Sequence, residues 1–220
     1  MKYADFLAFL APEGKPPIAD PELTPELLSL AHLTSAPPWV KTMEEVLKYH
    51  REYRDTLESQ SKIKIVETAK DLQDDDKIKV VLGLQNPPKD ADLNLLYKEG
   101  IRITTLAYEG YNEYGGGFAS LDDLTKKGKR FIISCAETGL ILDLSHAGFN
   151  TAAGTLRFID SAGLKIPVVA SHSGYYEMYN HPRNIPYGTL FGILNCGGIV
   201  GVPTLTFILD EKRNDLEPFF

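Results

Sequence analysis

Cysteine and long apolar runs are both scarce in this sequence of 220 residues. Its two cysteines, Cys135 and Cys196, lie in apolar surroundings, so we expect buried free thiols rather than a disulfide. No apolar run approaches the length of a membrane span. The first ten residues contain an aspartate and no small-residue cleavage site, so they are interpreted as an opening strand rather than a signal peptide. The sequence therefore predicts a cytoplasmic protein without a membrane segment.

Positive charge is also in short supply. Lysine and arginine number 23 against 30 aspartates and glutamates, which gives a formal net charge of −7, and the sequence pI is about 5.3. The lysines are scattered rather than arranged in a stripe. This distribution lacks the electrostatic footprint of a protein that binds nucleic acid or anionic membrane surfaces. Neither is therefore expected as a partner.

The length of the chain and its hydrophobic content of 43% suffice for a substantial core, and a single domain over 1–220 is expected. One pattern recurs: a helix-like stretch ends in glycine, at Gly100, Gly139, Gly163 or Gly197-Gly198, and a β-rich run follows. The predicted strands are 6–10, 78–84, 101–107, 140–144, 167–171 and 199–202, and the predicted helices are 41–60, 90–99, 122–136, 149–161 and 186–195. Such repetition predicts stacked βα units and a parallel sheet.

Two histidines are interpreted as structural or incidental. His50 shares one face of helix 41–60 with apolar residues, which predicts a packing role rather than a ligand. His32 lies in the proline-rich segment 11–40, which is interpreted as a long βα connection with one helical turn near 25–33. No role is assigned to His32.

Two other histidines, His146 and His172, each follow an apolar run that is typical of a buried strand. Parallel strands bring their carboxyl ends to one edge of a sheet, so both imidazoles are expected at one site. Neutral imidazole is a good zinc ligand, and two histidines from adjacent strands are within reach of one ion. The alternative is two unrelated histidines, each bonded to a neighbouring loop. A metal-dependent hydrolase is the first hypothesis.

Polar residues lie beside these histidines in the sequence. Asp143, on the strand before His146, is a candidate to orient the ring or to ligate metal, and the alternative is a hydrogen bond within the barrel interior. Ser145 and Ser171 adjoin the histidines, but neighbours along a strand point to opposite faces and no nucleophile-elbow pattern is present. Serine-hydrolase chemistry is therefore not expected.

A run of three glycines at 115–117 suggests a phosphate-binding loop at first sight. No Lys-Ser/Thr follows it, and no dinucleotide-binding spacing is present. The run instead predicts a flexible loop beside the site, lined by Tyr108, Tyr111 and Tyr114.

Four motifs occur in a fixed order: Gly139-Leu-Ile-Leu-Asp-Leu-Ser-His146, Pro167-Val-Val-Ala-Ser-His172-Ser, His181-Pro-Arg183-Asn184 and Gly197-Gly198-Ile-Val. With 80–86 and 100–108, they resemble the membrane (renal) dipeptidase family of zinc metallopeptidases, and the resemblance spans about 78–202. It implies a (β/α) TIM-type barrel of the amidohydrolase type. It also implies two zinc ions at the carboxyl ends of the strands, with a bridging hydroxide that attacks the dipeptide carbonyl.

The resemblance assigns roles to individual residues. His146 and His172 match the two histidines that hold one zinc. Arg183 matches the arginine that binds the substrate carboxylate, a role that suits a planar guanidinium; without the resemblance it would be interpreted as a surface arginine. Gln85 and Tyr108 fall at the positions of the bridging glutamate and of the histidine that polarises the scissile carbonyl.

The sequence also departs from the family pattern. It has no His-x-Asp pair, which in the family ends the first strand and binds the other zinc, and it stops before the last strand with its aspartate. Gln85 cannot supply the bridging negative charge, and Tyr108 can donate a hydrogen bond but cannot become cationic near neutral pH. The expected set is therefore zinc or another divalent metal, at most one ion per chain, at His146, His172 and Gln85, with Tyr108 and Asp143 catalytic and Arg183 and Tyr108 binding substrate.

The expected fold is an incomplete barrel with about six of the eight strands. The first and last strands of such a barrel are neighbours, so their loss leaves one gap with two unpaired edges. Either the proline-rich segment or the C-terminal tail covers the gap, or two chains meet there, or the natural product is longer. We adopt a homodimer as the hypothesis.

Two functions remain open on the sequence alone. The first is a dipeptidase-like, metal-dependent hydrolase of small peptide or N-acyl amino-acid bonds with a degenerate metal site. The second is a catalytically inactive homologue that serves as a ligand-binding or interaction protein. The two histidines and Arg183 favour the hydrolase, whereas Gln85 and the missing His-x-Asp pair favour the binding protein.

Overall fold

The computed structural model describes residues 3–8, 28–73, 76–203 and 208. The chain divides into two compact units, Met1–Thr104 and Thr105–Phe220. Most of the proline-rich segment and of the C-terminal tail, which were proposed to cover the barrel gap, lie outside the described residues.

The first unit is built on a parallel sheet. Its strands are β1 (Tyr3–Ala8), β2 (Leu28–Thr34), β3 (Ile63–Ile65), β4 (Ile78–Leu84) and β5 (Ile101–Thr105). β1 pairs with β2, and β2 pairs with β4. β3 pairs with the first part of β4 and β5 with its last part, all in parallel. β4 is therefore the central strand, and four of its seven residues are fully or almost fully buried apolar side chains.

Two α-helices accompany this sheet, α1 (Met43–Glu58) and α2 (Leu93–Lys98), with a 3₁₀ turn at Ala69–Leu72. The Thr42 hydroxyl caps α1: it accepts the backbone N–H of Glu45 at 3.2 Å and donates to the Glu45 carboxylate at 2.8 Å. The buried face of α1 carries Val46, His50, Tyr53 and Leu57. The last two belong to the hydrophobic core that α1 forms with β2, β3 and β4.

The second unit alternates helices and short strands: α3 (Lys126–Thr138), β6 (Ile141–Asp143), α4 (Phe149–Ser161), β7 (Val168–Val169) and α5 (Tyr187–Asn195). β6 and β7 are parallel, with Asp143 opposite Val169. α4 and α5 pack against each other. The carboxyl ends of β6 and β7 therefore lie side by side. No helix among the described residues has the length and apolarity needed to cross a bilayer.

Most predicted elements are confirmed. All five predicted helices are present, and α4 has the predicted bounds. The glycines predicted to end helices, Gly100, Gly139, Gly163 and Gly197, have φ values of 101°, 88°, 61° and 71°. A left-handed backbone of this kind suits glycine because it has no Cβ. His50 is fully buried, as predicted.

Some predictions were wrong. The helical turn near 25–33 is replaced, in its described part, by strand β2, and β3 was not predicted at all. The predicted strand 199–202 is reduced to one parallel bridge between Ala170 and Val200. Cys135 is buried, but Cys196 is exposed, because it follows the last turn of α5.

Candidate active site

Five side chains singled out in the sequence lie in the second unit, around the ends of β6 and β7: Tyr108, Asp143, His146, His172 and Arg183. The two imidazoles converge, with ring centroids 4.9 Å apart and ring planes at 62°. Both are nearly buried, with 7% and 4% of their surface exposed. Gln85 is in the first unit, where it directly follows β4 and is buried.

A chain of hydrogen bonds orients His172. The Ser171 hydroxyl donates to Asp143 Oδ2 at 2.5 Å and lies 2.7 Å from His172 Nδ1. Since the single hydroxyl proton goes to the carboxylate, Nδ1 must be the donor to Ser171 Oγ. In the neutral form of the ring the lone pair is therefore on Nε2, the nitrogen at which a metal or a proton would bind.

Asp143 also ties the two strand ends together. Its Oδ1 accepts the backbone N–H groups of Ser145 at 2.9 Å and of Ser171 at 3.0 Å. The carboxylate was a candidate to orient His146 or to ligate metal, but the ring that it reaches, through Ser171, is that of His172. Asp143 is thus placed as a positioning residue, which fixes the tautomer of His172 through the Ser171 hydroxyl.

His146 is held in a strained conformation. Its φ is 69°, in the left-handed region that non-glycine residues rarely adopt. The imidazole stacks on the Tyr108 ring, with centroids 4.1 Å apart and planes at 18°, and the Phe118 ring lies 5.9 Å away. Such backbone strain at a residue with a buried side chain is common at functional sites.

The glycine-rich loop brings Tyr108 to this position. Gly117 pairs with Ala147, and the Gly148 N–H donates to the Gly116 carbonyl at 2.9 Å. A Cβ added at Gly117 would lie 2.4 Å from the Tyr108 carbonyl oxygen, so only glycine permits this approach. The expected flexible loop is therefore replaced by a closely packed one.

Of the three tyrosines predicted to line that loop, Tyr108 alone is placed against a site histidine in the described residues. Tyr114 is buried and packs on Phe131, with ring centroids 4.5 Å apart. Tyr111 is exposed. Phe118 lies against the site but was not singled out in the sequence, where a lone aromatic after three glycines gives no distinctive signal.

Arg183 is buried beside the histidines instead of lying on the surface, with 7% of its area exposed. Its Nη2 donates to His146 Nε2 at 3.1 Å and lies 3.5 Å from the His172 carbonyl oxygen. Its guanidinium carbon is 5.4 Å from the centroid of the Phe118 ring. Nη1 has no hydrogen-bond partner among the described residues.

Burial and charge act together on the titration of these groups. Burial, with the Arg183 cation and His172 as smaller causes, holds the pKa of His146 far below its ordinary value, so the ring is neutral. Burial lowers the pKa of Arg183 to about 10, against the opposing effects of Asp143 and Tyr108, so the guanidinium stays charged at neutral pH. Burial raises the pKa of Tyr108, whose hydroxyl remains a donor.

The implied divalent ion can be tested against the donors present. Two imidazoles at this separation supply two neutral nitrogens, which suits zinc in chemical type. Within the described ranges, no group of three or more His, Cys, Asp or Glu side chains is placed to hold a metal ion. The described residues therefore fit two ligand positions of one ion and do not fit a dinuclear centre.

The sequence matches the family model for membrane dipeptidases, peptidase family M19, over residues 26–219. Dipeptidase verJ of Clonostachys rogersoniana is 32% identical over 126 residues, which cover 56% of this chain and 30% of that protein. An uncharacterized dipeptidase of Schizosaccharomyces pombe is 28% identical over 154 residues, which cover 64% of this chain and 36% of that protein. The chain thus spans less than half the length of these curated relatives.

Solved structures give the fold. An amidohydrolase from Pseudomonas aeruginosa superposes with a TM-score of 0.79 at 22% identity, over 94% of this chain and 64% of that one. A metallopeptidase from Rhodobacter sphaeroides, liganded with a phosphinate mimic of L-Ala-D-Ala, gives 0.73 at 18% identity, over 89% and 68%. The predicted fold class is confirmed: a parallel α/β barrel of the amidohydrolase type that is incomplete in this chain.

Proposed function

The chain belongs to the membrane dipeptidase family, and from that premise we propose that it is a metal-dependent hydrolase of small peptide or N-acyl amino-acid bonds. In this proposal Arg183 binds the substrate carboxylate. His146 and His172 bind at most one divalent ion, zinc or another. Relatives named as dipeptidases, and a related metallopeptidase bound to a dipeptide mimic, support the substrate class.

One observation carries the proposal: Arg183 is a buried cation without a carboxylate partner in the described part of the chain. A charge in such surroundings is costly unless it is paired. Its free Nη1, together with Nη2 once that nitrogen leaves His146, would form the planar fork that binds a carboxylate with two parallel hydrogen bonds. A substrate that carries a carboxylate would supply the missing partner.

The remaining side chains of the site suit hydrolysis of the peptide or amide bond next to the substrate carboxylate. The Tyr108 hydroxyl, kept protonated by burial, can donate to the carbonyl oxygen of the scissile bond. His172 can accept a proton or a ligand bond at Nε2, because Ser171 and Asp143 fix its tautomer. A divalent ion, when bound, would supply a Lewis acid that polarises a carbonyl or a water molecule. Gln85 stays a proposed metal-site position on the strength of the resemblance.

The test combines metal analysis with turnover. Purified chain would be analysed for bound metal and assayed on simple dipeptides and N-acyl amino acids, with and without added zinc. We expect up to one ion per chain, and turnover that requires metal and is lost in His172→Ala. Absence of both metal and turnover would overturn the proposal.

A second function, binding without hydrolysis, is favoured by the contact between Arg183 and His146. That contact places a cation against one of the two metal-binding imidazoles. In this alternative, the chain binds the carboxylate of a peptide but does not bind metal. Calorimetry with a dipeptide in the presence of a chelator separates the two, since only the binding protein would keep full affinity without metal.

A homodimer that covers the open edges of the barrel is part of the proposal. Its support is the cost of leaving strand edges exposed. Light scattering over a broad concentration range tests it, and a monomer throughout would contradict it.

A further inference from the structure

The bond between Arg183 and His146 decides which nitrogen of the imidazole carries the proton. Arg183 has only donors, so His146 Nε2 must accept the hydrogen bond from Nη2 over 3.1 Å. The ring that accepts this bond is neutral, because an imidazolium has no lone pair with which to accept a hydrogen bond. Its single proton therefore lies on Nδ1, a buried atom with no hydrogen-bond partner among the described residues.

This assignment excludes a metal ion from His146 as long as the bond to Arg183 persists. If Nε2 is the ligand atom, the ion takes the lone pair that Arg183 uses. If Nδ1 is the ligand atom, the proton must move to Nε2, which then cannot accept from Arg183. Through either nitrogen, ligation at His146 requires that the hydrogen bond be broken.

His172 is prepared differently. Its Nδ1–H is directed at Ser171, and the lone pair on Nε2 is already the one that a ligand bond would use. The rings of the two histidines lie 4.9 Å apart. His172 therefore already has the tautomer that a metal ligand needs, whereas the Nε2 lone pair of His146 is used by Arg183.

We propose that Arg183 and a divalent ion compete for His146, and that a carboxylate ligand relieves this competition, so that metal and carboxylate bind cooperatively. The inference rests on the proposed function and adds a mode of regulation to the same site. A carboxylate would neutralise the guanidinium that repels the ion, and would offer Nη2 an acceptor in place of His146. By linkage, metal and carboxylate then raise each other's affinity by the same factor.

The first experiment reads the tautomer without any metal. Imidazole nitrogen chemical shifts of the isotope-labelled full chain should place the proton of His146 on Nδ1 in the wild type. In Arg183→Met, which removes the charge and the donor but keeps a long side chain, the signal should move toward the Nε2–H tautomer. Arg130→Met, at an exposed position on α3, should leave it unchanged. An Nε2–H tautomer in the wild type would overturn the proposal.

The second experiment measures Co²⁺ affinity by calorimetry and by the visible absorption of the bound ion. We expect Arg183→Met to bind Co²⁺ at least about tenfold more tightly than wild type and Arg130→Met, in the range of typical coupling between sites. Saturating 4-oxopentanoate, a non-hydrolysable isostere of N-acetylglycine, should tighten Co²⁺ binding to the wild type by a similar factor. It should not do so in Arg183→Met, and the neutral 4-oxopentanamide should have no effect on either protein.

The outcomes separate this inference from the proposed function. Equal Co²⁺ affinity in wild type and Arg183→Met, with His172→Ala abolishing binding in both, would overturn the competition and leave the metal site intact. Absence of Co²⁺ binding in every variant would overturn both the competition and the metal-dependent function. Tighter binding in Arg183→Met that 4-oxopentanoate does not reproduce in the wild type would overturn the cooperativity.

Discussion

Two buried imidazoles, one in each unit, differ in how completely their ring nitrogens are hydrogen-bonded. In the first unit, His50 Nδ1 lies 2.9 Å from Ser35 Oγ and Nε2 lies 2.8 Å from the Glu99 carbonyl oxygen. In the second unit, His146 has one nitrogen against a buried arginine and the other without a partner among the described residues. His50 belongs to a regular helix, whereas His146 has a left-handed backbone.

The difference shows that burial alone does not identify a functional histidine, and that the hydrogen bonding of the ring must be considered as well. Burial is the largest cause that lowers the pKa of both rings. Native cores satisfy nearly all buried polar atoms, so an orphan nitrogen beside a buried cation needs a reason. The simplest reason is a ligand that supplies the missing hydrogen-bond and charge partners. We therefore propose a structural role for His50 and a functional role for His146.

The largest effect that would sharpen this contrast is expected at Arg183. Arg183→Met should weaken binding of 4-oxopentanoate to the metal-free chain by about 100-fold, because a buried charge-assisted pair is worth several kcal/mol when one partner is removed. Calorimetry measures the change, and Arg130→Met is the matched control. An affinity within about threefold of wild type would remove Arg183 from the carboxylate site.

Next in size is the stability of the two matched histidine variants. His50→Asn should lower the free energy of unfolding by about 2–3 kcal/mol, because it breaks two buried hydrogen bonds and leaves their partners unsatisfied. His146→Asn should cost less, about 1 kcal/mol, because asparagine tolerates a positive φ, which offsets part of the loss of the Arg183 acceptor and of the Tyr108 stack.

Urea unfolding monitored by circular dichroism checks both values. Equal losses of stability in the two variants would break the contrast between a structural and a functional histidine. A larger loss for His146→Asn would reverse it.

A smaller effect is expected at Ser171, which connects Asp143 to His172. Ser171→Ala should weaken Co²⁺ binding by about tenfold, at the lower end for residues behind a metal ligand, and should mix the tautomers of His172 in its nitrogen spectrum. Ser161→Ala, whose exposed hydroxyl bonds only within the last turn of α4, is the control. An unchanged His172 tautomer would show that Ser171 has no positioning role.

The smallest effect concerns pH. The pKa of folded His50 is lowered from 6.5, chiefly by burial, so below pH 6.5 the unfolded chain takes up a proton that the folded chain does not. The contribution of His50 to stability is therefore present above this pH and is lost as the pH falls through 6.5 toward the folded pKa. Urea unfolding at several pH values should show a shallower acid decline for His50→Asn than for wild type. Equal slopes would contradict this assignment.

The sequence predicts what depends on local signals. Helical periodicity and a terminal glycine identify α4 with its observed bounds, Phe149–Ser161. Strand β2 was missed because it follows a proline-rich stretch and contains a histidine whose fit depends on a distant partner. A Cβ at Gly83 on β4 would lie 2.1 Å from His32 Nε2, so the glycine makes room for the imidazole. Such complementarity between paired strands is not visible in the order of residues.

The same limit applies to the site. The convergence of His146 and His172 follows from parallel strand ends and was predictable. The hydrogen bond from Ser171 to Asp143 was not, because β7 ends at Val169 and the residues beyond it no longer alternate between two faces. Arg183 needed the structure as well, since a loop arginine is interpreted as exposed until its burial is seen.

The account depends most on a carboxylate as the partner of Arg183, and one comparison of ligands tests this directly. The wild-type chain would be titrated by calorimetry with 4-oxopentanoate and with 4-oxopentanamide, which differ only in the charged terminus. The account predicts measurable binding of the carboxylate and at least about 100-fold weaker binding of the amide. Equal affinity for the two ligands, or binding of neither, would contradict it.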